Sequence, residues 1–239
     1  MRKCSVDTCI GWIALALIMC GGCAWRAPAG DLDRRVADRY GAADFHRVES
    51  LRYTFNVKKG DQTVNRSWIW EPGKDRVTFW TPGDAEDRIS YIRGELTAGV
   101  SDRMKSVDAR FINDQYWLLF PLHLAWDRDA VVTESPEPVT LPIGSGRARR
   151  LVIQYPPAGG YTPGDVYELF VAEDLRLVQW IYRKGGAPTP TRITTWDKHR
   201  RLGPLLVSLE RQDADGSFRV WFTDVKLRLA GSGAWLTPD

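Results

Sequence analysis

The chain has 239 residues with a net charge of +3; 44% are hydrophobic, 26% are charged, and 11 are Trp. That length suits one β-rich domain, and it buries roughly 70% of the unfolded surface, so folding needs neither a disulfide nor a metal. Such aromatic content excludes a disordered chain. The weak net charge argues against a dedicated nucleic-acid binder, which carries a concentrated basic face.

All the cysteines, Cys4, Cys9, Cys20 and Cys23, lie at the N-terminus. Arg2 and Lys3 precede an apolar run from Ile10 to Met19. The run is too short to span a bilayer, which takes about 20 residues, and it fits the apolar region of a secretory signal peptide. The segment Met19-Cys20-Gly21-Gly22-Cys23-Ala24 resembles the lipobox of bacterial lipoprotein precursors. That resemblance implies a signal peptide over 1–22, a lipidated Cys23 beginning a tether over 23–30, and a folded domain over 31–239. Cys20 is the alternative acceptor, and an ordinary secreted protein or an uncleaved anchor is the alternative to lipidation. Lipidation would place the protein in the bacterial cell envelope, facing the periplasm. Ala24, where Asp favours inner-membrane retention, leans toward the outer membrane.

After the tether, residues 31–44 read as a helix with Leu32, Val36, Arg39 and Tyr40 on one face and Asp31 as cap. Strands are then predicted at 51–57, 63–70, 76–81 and 89–92, separated by turns such as Lys58-Lys59-Gly60-Asp61 and Pro72-Gly73-Lys74-Asp75. The pattern changes at 103–120, where Val107, Phe111, Asp114, Trp117 and Phe120 follow a helical period and Pro121 should end the helix. This aromatic helix must cover something apolar, most simply the concave face of a sheet. Strands resume at 130–133, 149–155, 166–171, 177–182, 192–196, 205–211 and 218–229, with a loop at 135–146. The expectation is an antiparallel meander of about eleven strands with two main helices.

Two stretches carry a family resemblance: Phe111-Ile112-Asn113-Asp114-Gln115-Tyr116-Trp117-Leu118-Leu119-Phe120-Pro121-Leu122, and Tyr161-Thr162-Pro163-Gly164-Asp165-Val166-Tyr167-Glu168-Leu169-Phe170-Val171 followed by Leu177-Val178-Gln179-Trp180-Ile181-Tyr182. They look like an uncharacterised branch of bacterial exported proteins in the LolA/LolB-like superfamily. The resemblance covers roughly residues 31–230. It implies an α+β, mostly β fold: an open, strongly curved antiparallel half-barrel with helices covering its concave face. It also implies a hydrophobic groove of the kind whose best-known owners carry lipidated proteins. Fold alone does not settle function.

Enzyme readings find little support. His46, His123 and His199 are scattered, and the only thiols are N-terminal. A Cys/His nucleophile and a thiolate metal site are therefore not expected. Gly144-Ser145-Gly146 lacks the spacing of a nucleophile elbow. Asp213-Ala214-Asp215-Gly216 reads as a turn, because a calcium loop in that frame would have Arg211 and Phe222 at ligand positions. Asp84, Glu86 and Asp87 read as a solvated loop. Arg147, Arg149 and Arg150, and the run Lys198-His199-Arg200-Arg201, read as solubilising charge or as contacts for anionic headgroups.

The aromatics carry the remaining hypothesis. Trp68, Trp70, Trp80, Tyr91, Phe111, Trp117, Phe120, Trp180, Tyr182 and Trp221 are candidates to line an apolar-ligand groove, with core packing as the plainer alternative. The expected function is a membrane-anchored lipoprotein that binds a lipid acyl chain or lipidated protein, without catalytic residues, metal or cofactor, and without nucleic acid as partner. The alternatives are an envelope scaffold whose groove is filled by its own helix, and an enzyme acting on an envelope lipid or glycan.

Overall fold

The computed structural model describes residues 31–239 apart from Ala85 and Ala98. The expected signal peptide, Cys23 and tether lie outside the described residues. The described chain runs α1 (Leu32–Arg39), β1 (Val48–Lys59), β2 (Gln62–Glu71), β3 (Arg76–Trp80), β4 (Ile89–Ile92), α2 (Asp102–Trp126), β5 (Val131–Glu134), β6 (Val139–Thr140) and β7 (Arg147–Gln154). It continues through β8 (Val166–Val171), β9 (Leu177–Arg183), β10 (Arg192–Thr195), β11 (Asp197–Leu202), β12 (Leu205–Gln212), β13 (Phe218–Leu229) and β14 (Trp235–Leu236).

The strands form two open antiparallel sheets. The larger is ordered β11-β12-β13-β1-β2-β3-β4, with β14 also paired to β13; the smaller is ordered β10-β9-β8-β7-β5, with β6 also paired to β7. β1 and β13 pair along almost their whole length, with register shifts between Val48 and Ser50 and between Arg52 and Thr54. Such irregularities bend a strand pair and increase its twist. One apolar core joins both sheets: Leu51, Tyr53 and Phe55 of β1, Trp68 of β2, Leu169 of β8 and Trp180 of β9 meet Phe111, Leu118 and Phe120 of α2. Alternation decides these faces, since successive strand residues point to opposite sides.

The structure refines several sequence expectations. The strands absent from the sequence reading are β6, β11 and β14. β6 and β14 have two residues each, too short for a periodic signal. β11 contains the basic run Lys198–Arg201, which pairs as an edge strand with β12. Charges are common on edge strands because they discourage pairing with other chains. The predicted helix over 31–44 is split at Gly41, whose φ of +94° and approach to the Pro204 carbonyl leave no room for a side chain. A 3-10 turn then follows over Ala42–Arg47. Asp31 stands at the N-cap of α1 but its side chain makes no capping bond.

The largest correction concerns Pro121, which lies inside α2 rather than ending it. Proline removes one N–H from the ladder and crowds the preceding turn. Tertiary contacts hold the turn beyond it. His123 lies 3.0 Å from both Gln115 Oε1 and Asp127 Oδ2, and Trp126 packs edge-on against Phe45 at a centroid distance of 4.7 Å. At the other end, Ser101 caps α2 by accepting the Met104 N–H at 3.3 Å.

Candidate functional site

A cleft of about 390 Å³ lies where α2 and both sheets meet. The larger sheet contributes Phe55 and Val57 of β1, Arg66 of β2 and Phe218 of β13. The helix contributes Ile112, Asn113, Tyr116 and Trp117, and the smaller sheet contributes Tyr167, Trp180, Tyr182 and Arg192. Trp117 stands edge-on to Trp180 at 4.6 Å and tilted against Phe218 at 5.8 Å. Tyr167 stacks on Tyr182 at 5.0 Å. The side walls are therefore aromatic rings from four separate elements, α2, β8, β9 and β13. At the rim, exposed Tyr161 accepts a hydrogen bond from Arg93 at 2.9 Å.

The carboxylates around the cleft are already engaged. Asp114, fully buried on α2, accepts two bonds from Arg66 at 2.6 and 2.7 Å, one from the Trp68 indole at 2.9 Å and one from Asn113 at 3.0 Å. Burial pushes the Asp114 carboxyl up, while Arg66 and the two neutral donors pull against that shift. The Arg66 fork matches the carboxylate geometry and fixes β2 to α2. Asp165 accepts the Tyr182 hydroxyl at 3.0 Å and the Gly185 N–H at 2.7 Å. Burial, reinforced by Asp165, pushes the Tyr182 hydroxyl well above the usual phenol range, so it stays protonated. On the far side of Tyr116, Asp127 accepts from Tyr116 at 2.9 Å and Tyr155 at 2.7 Å. Burial opposes its ionisation, but these donors and His123 hold it below the usual carboxylate range.

The predicted groove residues divide into three groups. Trp117, Trp180 and Tyr182 line the cleft. Trp68, Trp70, Tyr91, Phe111 and Phe120 pack into the core instead. Trp68 lies 5.5 Å from Phe111, and Trp70 lies 5.8 Å from it. Trp80 and Trp221 lie on the opposite, convex face of the larger sheet, away from the cleft. Each alternates with a core residue, Phe79 and Phe222, and so points the other way. There Arg52 and Arg88 stack over Trp80 at 5.3 and 5.2 Å, and Arg219 stacks over Trp221 at 4.6 Å.

Sequence reasoning missed Arg66, Asp165 and Arg192 as cleft residues. Arg66 had a readable signal, since it shares the period-two face of Trp68 and Trp70. It also missed Arg211, which is completely buried behind the cleft wall. Its guanidinium lies 3.9 Å from the Trp196 ring centre and donates to the Ser208 carbonyl at 2.5 Å. Among the described residues its Nε and Nη2 have no partner. Burial pushes its pKa down to about 9.

Of the basic clusters, Arg149 pairs with Glu134, Arg150 pairs with Glu168 and Lys198 pairs with Glu210. Among the described residues no group of three or more His, Cys, Asp or Glu is placed to hold a metal ion, and no helix is long and apolar enough to cross a membrane.

Among solved structures, the chain is similar to a DUF1329 family protein from Desulfovibrio piger, with a TM-score of 0.46 and 10% identity over 86% of this chain and 95% of that one. It is also similar to an outer membrane lipoprotein-sorting protein domain from Vibrio parahaemolyticus, with a TM-score of 0.46 and 7% identity over 84% of this chain and 92% of that one. Neither a family model nor a curated protein sequence matches the chain.

Proposed function

We propose that this protein is a lipid-anchored, periplasm-facing envelope lipoprotein that binds an apolar chain in the cleft between α2 and the two sheets. The ligand is a lipid acyl chain or the acyl chain of a lipidated protein. Binding needs no covalent chemistry, metal or cofactor, and the anchor would be Cys23. The observation that carries this reading is the cleft itself: about 390 Å³ walled by Phe55, Trp117, Trp180 and Phe218. That volume is at the small end of the usual ~300–1,000 Å³ range for small-molecule sites. Covering such rings with an alkyl chain releases about 25 cal/mol per Å² of apolar surface removed from water.

Native mass spectrometry with lipid extraction, on protein purified from a bacterial envelope, tests the reading. A lipid released only on denaturation supports it. Protein that is empty and also takes up no fluorescent acyl probe contradicts it. A scaffold role is the second reading, favoured by the concave face beneath Phe111, where Trp68, Trp70 and Phe79 leave the helix packed against the sheet.

A further inference from the structure

We infer that the cleft is built for a single-chain amphiphile with a carboxylate head, a free fatty acid, and that Arg192 receives the head. The inference rests on the cleft being an alkyl-chain site and adds the charge and number of the chains.

Most charged groups in the cleft already have partners. Arg66 is neutralised by Asp114 through two hydrogen bonds. Asp165 has a donor on each oxygen, Tyr182 and Gly185. Arg192 differs. Its guanidinium lies against the cleft wall, 4.0 Å from the centre of the Phe218 ring, and among the described residues it has no carboxylate partner. Arg192 is only half-exposed, so its charge is less screened than on an open surface.

The second observation is Trp180. Its side chain is 2% exposed and forms the wall next to Tyr182, which pairs with Arg192 across the β9–β10 ladder. The Trp180 indole N–H is enclosed, so Trp180 gives the cleft an apolar wall and not a donor. Among the described residues, the cleft thus offers a free cation beside rings that accept an alkyl chain. An anionic acceptor joined to an apolar tail complements that set. A guanidinium fits a carboxylate through two parallel N–H bonds, which an ammonium cannot match. Asp165 is the opposing charge in the cleft, and its two donors spread that charge. The small volume favours one chain over the several chains of a lipidated protein.

Isothermal titration calorimetry of the full chain with decanoate and decanol tests this. The wild type should bind decanoate about tenfold more tightly than decanol, equivalent to ~1.4 kcal/mol. That preference should shrink at high salt. Arg192→Met should bring decanoate down to the decanol level, while Arg192→Lys should keep part of the preference. Equal binding of the two ligands by the wild type overturns the head-group inference but leaves the alkyl-chain site standing. A folded Arg192→Met that keeps the full preference also overturns it. Binding of neither ligand removes the alkyl-chain reading itself. Should Arg192→Met fail to fold, the wild-type ligand pair and its salt dependence decide the matter alone.

Discussion

The two sides of α2 solve the same problem differently. Toward β2 and β3 the helix closes on the sheet: Phe111 meets Trp68 and Trp70, and Asp114 ties Arg66 and Trp68 to the helix. Toward β9 and β13 it leaves a cleft, with Trp117 standing between Trp180 and Phe218. An open sheet must cover its inner face, and one helix covers only part of it. The filled side therefore supplies rigidity, and the open side supplies a place for something else. The scaffold and carrier readings describe these two sides, and separating them experimentally tells which one dominates function.

The sharpest way to break the filled side is Asp114→Ala. It strands the Arg66 guanidinium beside the core and should cost about 3–5 kcal/mol, the loss expected when one partner of a buried ion pair is removed. Urea denaturation measures it, and a loss below ~1 kcal/mol would show that Asp114 does not tie helix to sheet. A pair of truncations tests the contrast between the sides. Phe111→Ala should cost about 3–5 kcal/mol through the cavity it leaves, and Trp117→Ala only about 1–2 because its ring already borders solvent. Equal losses would erase the distinction.

Much of this was legible in the sequence because alternation and helical period set which face each side chain takes. The strands with six or more residues, apart from the basic edge strand β11, the hairpin across Asp213–Gly216 and the aromatic helix were all readable. The end of α2 was not, because proline's local cost is offset by contacts from Phe45, Gln115 and Asp127 that no local pattern reveals. Trp80 and Trp221 show the limit of counting aromatics. Their strands alternate cleanly, so their face was readable from Phe79 and Phe222, but large apolar side chains were equated with the inner surface. The convex arginines that cover them are set by strand pairing and by the β3–β4 loop. The cleft polar groups were hidden for a related reason: Asp165 and Arg192 reach the site from a loop and a short edge strand that meet α2 only in the folded chain.

Two smaller effects sharpen the picture of the region behind the cleft. Arg211→Met should stabilise the protein by about 1 kcal/mol, because it exchanges a buried charge, without a carboxylate partner among the described residues, for an apolar chain of similar length. A fall in melting temperature would mean that the stacking on Trp196 outweighs the desolvation. The last effect is a pH slope. Burial, aided by Arg176 and Arg211, pushes His199 down to about 4, and the Tyr40 hydroxyl lies 2.9 Å from its Nε2. An unfolded histidine titrates near about 6.5. Between these values the unfolded chain binds the proton that the folded chain refuses, so stability falls as pH drops from about 6.5 toward 4. His199→Gln should flatten that part of the stability profile, and an unchanged slope would place the titration elsewhere.

If the contrast between the two sides governs function, an alkyl chain enters the open side and not the filled one. Photolabelling with a neutral alkyl diazirine, followed by peptide sequencing in the mass spectrometer, tests this most directly. Label is expected on Phe55, Trp117, Trp180 and Phe218, and none on Trp68 or Phe111. Label confined to the convex residues Trp80 and Trp221, or spread over the surface without any in the cleft, would contradict it.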